Sequence, residues 1–198
     1  MKNLACGFVL LLFIGCNNAD TQSAGASSKG DSTQKIKAYF PVLDFIKSEI
    51  RYVDSLPVGI IKYTTSNGII DSGYIKPEEF HRLAQEFVSP MLNKETFEKE
   101  YSETSFFDNT TQYSSFLYST TNKNLPIHRV DVLVKPEDVV YNKVKSIYME
   151  KLLEKADTSI IQKLYWKAGH NFQINSEIRT SKQEITSSQV KVVWNPWD

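Results

Sequence analysis

Ser159-Ile160-Ile161-Gln162-Lys163-Leu164-Tyr165-Trp166-Lys167-Ala168-Gly169-His170-Asn171-Phe172-Gln173-Ile174-Asn175-Ser176-Glu177-Ile178-Arg179-Thr180 decides the fold. Ile160, Leu164 and Trp166, then Phe172, Ile174 and Ile178, fall at period two, the spacing at which strand side chains share one face. Lys163, Lys167, Gln173, Asn175, Glu177 and Arg179 fall on the other face. Gly169-His170 is short enough to join the two runs as a hairpin. Residues 189–194 repeat the pattern, with Val190, Val192 and Trp194 on the apolar side and Lys191 opposite. One face packs and one meets water, as in an antiparallel sheet.

Working upstream, the sequence predicts strands over 144–155, 127–134 and 113–121. A loop at Ala156-Asp157-Thr158 and another containing Asn122, Asn124 and Pro126 separate them. No element is assigned over 93–112, where Phe97, Tyr101 and Phe106-Phe107 are unevenly spaced among charges and Asp108-Asn109-Thr110-Thr111 reads as a turn. Lys76-Pro77-Glu78-Glu79 has a proline and acids where a helix begins, and Phe80, Leu83, Ala84, Phe87 and Val88 supply its apolar face. Two β-branched runs, 58–65 and 69–75, flank Ser66-Asn67-Gly68, and Asn-Gly between such runs signals a hairpin. Ile36, Tyr39, Phe40, Leu43, Ile46, Ile50 and Val53 recur at helical spacing, with the strongest helix over 41–55 and Pro57 ending it. The expected fold is therefore α+β, with amphipathic helices packed on a curved antiparallel β-meander.

The start of the chain obeys different rules. Lys2 is followed by an apolar run, residues 7–14, that turns polar at Asn17-Asn18, too short for the roughly 20 apolar residues of a membrane span. It has the proportions of a cleaved export signal. Phe13-Ile14-Gly15-Cys16 resembles the lipobox of bacterial lipoproteins, with Phe13 in place of the usual leucine. That resemblance implies cleavage before Cys16 and acyl chains on Cys16, and two or more chains make a stable membrane anchor. Residues 1–15 are then the signal peptide, 16–35 the lipidated cysteine and a flexible tether, and 36–198 a single globular domain. Residues 17–35 carry no aromatic or branched aliphatic side chain, and as a coil they reach on the order of 25 Å. Asn17 is not the aspartate that retains some lipoproteins in an inner membrane, so an outer membrane, where one exists, is the favoured location. The order helix, hairpin, helix and meander behind such a signal, with Phe45-Ile46-Lys47-Ser48-Glu49-Ile50, also resembles small bacterial lipoproteins of unknown function. That resemblance carries no activity with it.

Charge and motif content narrow the function. The full chain has 23 basic and 23 acidic residues, and removing residues 1–15 takes away only Lys2. Without a clustered basic footprint nucleic acid is excluded as a partner. The two cysteines are Cys6 and Cys16. Cys6 falls within the signal, which leaves no second thiol to form a disulfide with Cys16. His81, His128 and His170 stand singly, with no metal-ligand spacing, so no metal and no cofactor is expected. The acidic pairs Glu78-Glu79, Glu98 with Glu100, and Glu137-Asp138 are accounted for by helix starts and turns. No nucleophile elbow and no phosphate-binding glycine loop is present. The expectation is a non-enzymatic envelope protein that binds another envelope protein or a small amphiphile. Trp194, Trp197 and a tyrosine-rich sheet face are the candidate binding groups. The alternative is a hydrolase-like envelope enzyme whose site forms where His128, His170 or carboxylates converge in the folded chain.

Overall fold

The apolar face of the quoted hairpin is sealed on both sides by register. Trp166 stands opposite Ile147 on one neighbouring strand and Phe172 on the other, and Phe172 stands opposite Val192. Leu164, Met149 and Ile174 form the parallel row beside them. All but Ile174, which is nearly so, are fully buried. In the computed structural model, which describes residues 39–135, 143–182 and 184–197, these rows belong to one open sheet of nine strands. The expectations for Cys6, Cys16, the tether and Glu137-Asp138 lie outside the described residues.

The chain begins with helix α1 (Val42–Ser55), then the hairpin β1 (Ile60–Ser66) and β2 (Ile69–Ile75). Next come α2 (Pro77–Ala84), extended by a 3-10 turn (Gln85–Phe87), and a short α3 (Lys94–Glu100). The meander is β3 (Ser102–Asp108), β4 (Tyr113–Ser119), β5 (Ile127–Lys135), β6 (Lys143–Lys155), β7 (Thr158–Lys167), β8 (Asn171–Thr180) and β9 (Ile185–Val193). Every pairing is antiparallel, and the spatial order β2-β1-β9-β8-β7-β6-β5-β4-β3 docks the first hairpin onto the end of the meander. This is the α+β architecture expected from the sequence, with β2 and β3 as its two open edges.

Each helix is held by the face its sequence presents. α1 buries Val42, Ile46, Ile50 and Val53; Leu43 packs only partly, and Val42, which the helical spacing leaves out, takes the buried position. Pro77 occupies the first turn of α2, and Phe80, Leu83 and Ala84 turn inward. Phe80 meets Trp194 edge-on at 5.8 Å between centroids, and Phe87 meets Trp166 at 5.1 Å. Phe172 lies among them, 5.3 Å from Phe87 and stacked on Trp166 at 5.1 Å. Edge-to-face and offset rings add to the stabilisation from burial alone.

The first hairpin turns as its sequence requires: Asn67 (φ 51°) and Gly68 (φ 79°) both adopt left-handed backbone, the requirement of a type I′ turn. Residues 93–112, where the sequence supports no element, hold α3 and β3. Asn93 caps α3 by accepting the Thr96 N–H at 2.9 Å, and Phe97 stacks on Tyr101 at 4.7 Å. β3 is an edge strand with mostly exposed side chains, so nothing imposes alternation on it. β9 likewise starts earlier than expected, because Ile185 to Ser188 pair with β8 while their side chains stay exposed.

Phe172 is fully buried at the centre of the aromatic cluster. Phe172→Ala is expected to destabilise the fold by about 3–5 kcal/mol, measured by chemical denaturation; a change below about 1 kcal/mol would show that the cluster does not organise the core.

Candidate functional site

The face turned away from the helices is mostly polar, and its register sets the candidate groups in rows. Asp131, Tyr148, Tyr165, Gln173, Lys191 and Tyr63 stand in sequence across β5, β6, β7, β8, β9 and β1. At the β5 end the groups satisfy one another. Arg129 grips Asp131 through Nε (2.8 Å) and a terminal nitrogen (2.7 Å), and its guanidinium lies 6.0 Å from the centre of the Tyr148 ring. The Tyr148 hydroxyl donates to Glu150 at 2.8 Å. Burial, and then this bond to an acceptor, push the Tyr148 hydroxyl up to about 12.

Toward β9 and β1 the same face opens. A cleft of about 650 Å³ runs between Tyr63, Ile70, Tyr165, Gln173 and Lys191. It adjoins a larger one of about 1140 Å³, which reaches the end of the sheet and is walled by Asp44, Phe45, Glu49 and Tyr52 of α1. Tyr165, Lys167 and His170 border both, and both have aromatic walls. Lys145, Lys167 and Lys191 give them cationic groups.

The turn between β7 and β8 shapes the rim. Gly169 adopts φ 72°, a conformation that favours glycine. Its N–H donates to Glu49 Oε2 at 2.7 Å, and the same oxygen accepts the indole N–H of the fully buried Trp166 at 3.2 Å. Ala168 N–H donates to the Lys145 carbonyl at 3.0 Å, and the His170 carbonyl accepts N–H groups from Trp194 and Asn195. Lys167 and His170 are therefore presented by backbone that is tied down on every side. The sequence offers one trace of this arrangement: a buried tryptophan needs an acceptor for its N–H. Nothing in α1 marks Glu49 as that acceptor.

The groups singled out from sequence are dispersed. Trp194 is 2% exposed and packs on Phe80 and Trp166, which corrects its assignment to a binding surface; the aromatic at the end of β9 continues the core row. Trp197 is 78% exposed. Tyr63, Tyr148 and Tyr165 do share one face, as the row above shows. His81 bonds Asp54 at 2.7 Å across α2 and α1. His128 falls at the irregularity in the pairing of β5 with β6, and His170 lines the cleft. Glu79 pairs with Lys62, Glu98 with Lys94 at 3.6 Å, and Glu100 accepts from Asn122 at 2.8 Å. Among the described residues no three His, Cys, Asp or Glu side chains are placed to hold a metal ion. No described helix is long and apolar enough to cross a membrane. Comparison with known proteins finds no matching family model, curated protein or solved structure.

Two outcomes follow from this geometry. Glu49→Ala strands the Trp166 and Gly169 donors and is expected to cost about 2–3 kcal/mol, whereas Glu49→Gln, which keeps an acceptor, costs about 1 kcal/mol. Equal losses in denaturant melts would argue against the bridge. The second concerns alkaline pH. Burial pushes the Tyr101 and Tyr118 hydroxyls up to about 12; Tyr101 donates to the Ile127 carbonyl at 2.5 Å and Tyr118 accepts the Phe40 N–H at 3.1 Å. A group raised above its unfolded value of 10 contributes stability that is intact below pH 10 and is lost as pH rises through about 12. Stability should therefore fall across that window, and Tyr118→Phe should make the fall shallower, read from melts at stepped pH with the phenolate absorbance followed in parallel.

Proposed function

We propose that the chain is a lipid-anchored protein of the bacterial cell envelope that binds, rather than transforms, a small amphiphile with an anionic head. The carrying observation is the tyrosine and lysine lining of the two adjoining clefts, one on the polar face of the sheet and one at its end beside α1. Tyr63, Tyr165, Phe45 and Tyr52 offer flat apolar surface, and Lys145 and Lys191 offer charge to a carboxylate, sulfate or phosphate. Ligand sites combine such walls with a few placed polar groups. The anchoring half of the reading rests on Phe13-Ile14-Gly15-Cys16. An anchored protein with an amphiphile cleft fits an accessory role, presenting or sequestering a molecule beside the membrane.

The test uses dansyl-undecanoate, an anionic amphiphile with a fluorescent reporter. Saturable binding is expected, weakened about tenfold or more in a Lys145→Ala/Lys191→Ala double variant, since each 1.4 kcal/mol lost is tenfold in affinity. Binding that does not saturate, or that ignores the double variant, would overturn the cleft assignment. Cys16→Ala is expected to abolish palmitate labelling and release the protein from the membrane fraction; unlabelled wild type would overturn the anchor.

A further inference from the structure

Among the described residues, the edge strand β2 has little of what ordinarily keeps a sheet edge from pairing. Ile69 is 74% exposed, Ile70 71% and Tyr74 79%. The strand Ile-Ile-Asp-Ser-Gly-Tyr-Ile holds no lysine and no proline, and its register with β1 is unbroken by a bulge. Lysine, proline and bulges are the usual protections of such edges. The type I′ turn fixes which backbone groups are available. Ser66 and Ile69 close the turn as a hydrogen-bonded pair, so Ile69, Asp71, Gly73 and Ile75 direct their N–H and C=O to β1. Ile70, Ser72 and Tyr74 direct theirs outward.

We propose that a second copy of this chain pairs with β2, antiparallel, about a twofold axis at Ser72. The strand's own sequence argues for a copy over any other strand. Inversion about Ser72 sets Ile70 against Tyr74 of the partner subunit on one face, and Ile69 against Ile75 of the partner subunit on the other. The single charge, Asp71, faces Gly73 of the partner subunit, so no carboxylate meets its like, and small Ser72 is the one residue set opposite its own copy. The outward groups of Ser72 meet their own symmetry mates in a hydrogen-bonded pair. The other edge does not match itself: a twofold at Ser105 of β3 would put the Glu103 carboxylate against Phe107. Isologous pairing of this kind closes after two subunits. It also reaches the cleft, because Ile70 lines it and Tyr74 of the partner subunit would extend that apolar rim.

Gly73 is the position that tests the register. A Cβ there meets no atom within 4 Å, so it accepts a side chain without disturbing the monomer. The full chain carrying Ser72→Cys is oxidised mildly in its membranes, with wild type alongside to subtract cross-links through Cys6 or Cys16. Cα atoms of a hydrogen-bonded pair lie at about 5.5 Å, within disulfide range. A disulfide-linked dimer is expected from Ser72→Cys and not from Ser105→Cys on the opposite edge. Adding Gly73→Glu, which opposes two like-charged pairs, should cut the yield about fivefold, and Gly73→Lys, which opposes opposite charges, should restore or raise it. No dimer above the Ser105→Cys level, or equal yields from the glutamate and lysine variants, would overturn the proposal.

Discussion

The Glu49 carboxylate is the joint on which the arrangement turns. One oxygen receives the indole N–H of Trp166 and the backbone N–H of Gly169, so a single side chain of α1 satisfies a donor inside the core and a donor at its rim. Either donor left unmatched would cost more than an ordinary hydrogen bond contributes, since the penalty is that of a desolvated polar group. The bridge therefore fixes α1 over β7 and β8, and with it the wall that Asp44, Phe45 and Tyr52 raise beside the cleft. Packing of Val42, Ile46, Ile50 and Val53 alone would bind α1 to the sheet without specifying its position along the strands as tightly.

The two faces of the sheet solve different problems. On the helix side, rows of large side chains from neighbouring strands meet aromatic rings from α2 and the following turn, and non-directional burial supplies the stability. On the other side, same-strand neighbours two residues apart neutralise one another: Arg129 with Asp131, Tyr148 with Glu150, Gln173 with Asn175, and Arg179 with Glu177. Of these only the Arg179–Glu177 pair is exposed, and such a pair contributes little to stability. The first two pairs leave the surface near β5 with few groups available to a ligand, while lysines and tyrosines toward β9 and β1 line open depressions.

Legibility in the sequence follows burial. The period-two runs of β7 and β8 are explicit because one face of each lies in the core, and a half-buried strand must alternate. α1 and α2 are explicit because each presents one stripe to that core. α3 is brief, and β3 sits at an edge with Phe106 63% and Phe107 44% exposed, so its residues answer to no core and carry no period. The cleft was only half legible. Lys167 and Lys191 read as polar-face residues, but their grouping with Tyr63 and Tyr165 depends on the order β1-β9-β8-β7, which joins residues more than a hundred positions apart. Trp194 had two readings in the sequence, as the last apolar-side residue of its strand and as a binding group; the docking of β1 on β9 and of Phe80 on its ring supports the first.

That docking also explains why the sheet ends where it does. β9 would be an edge if the meander stood alone, and the first hairpin covers it, transferring the exposed edge from β9 to β2. The transfer changes the character of the edge. Ile185, Thr186, Ser187 and Ser188 give β9 a largely polar exposed half, whereas β2 brings Ile69, Ile70 and Tyr74. An apolar strand with outward hydrogen-bonding groups carries a standing risk of unspecific pairing. A sequence that pairs best with its own inverted copy limits that risk by making one partner better than the rest, because specificity is a difference of affinities. Asp71 then acts in two ways, since it repels strands that bring a carboxylate opposite it and accepts the copy, which brings a glycine.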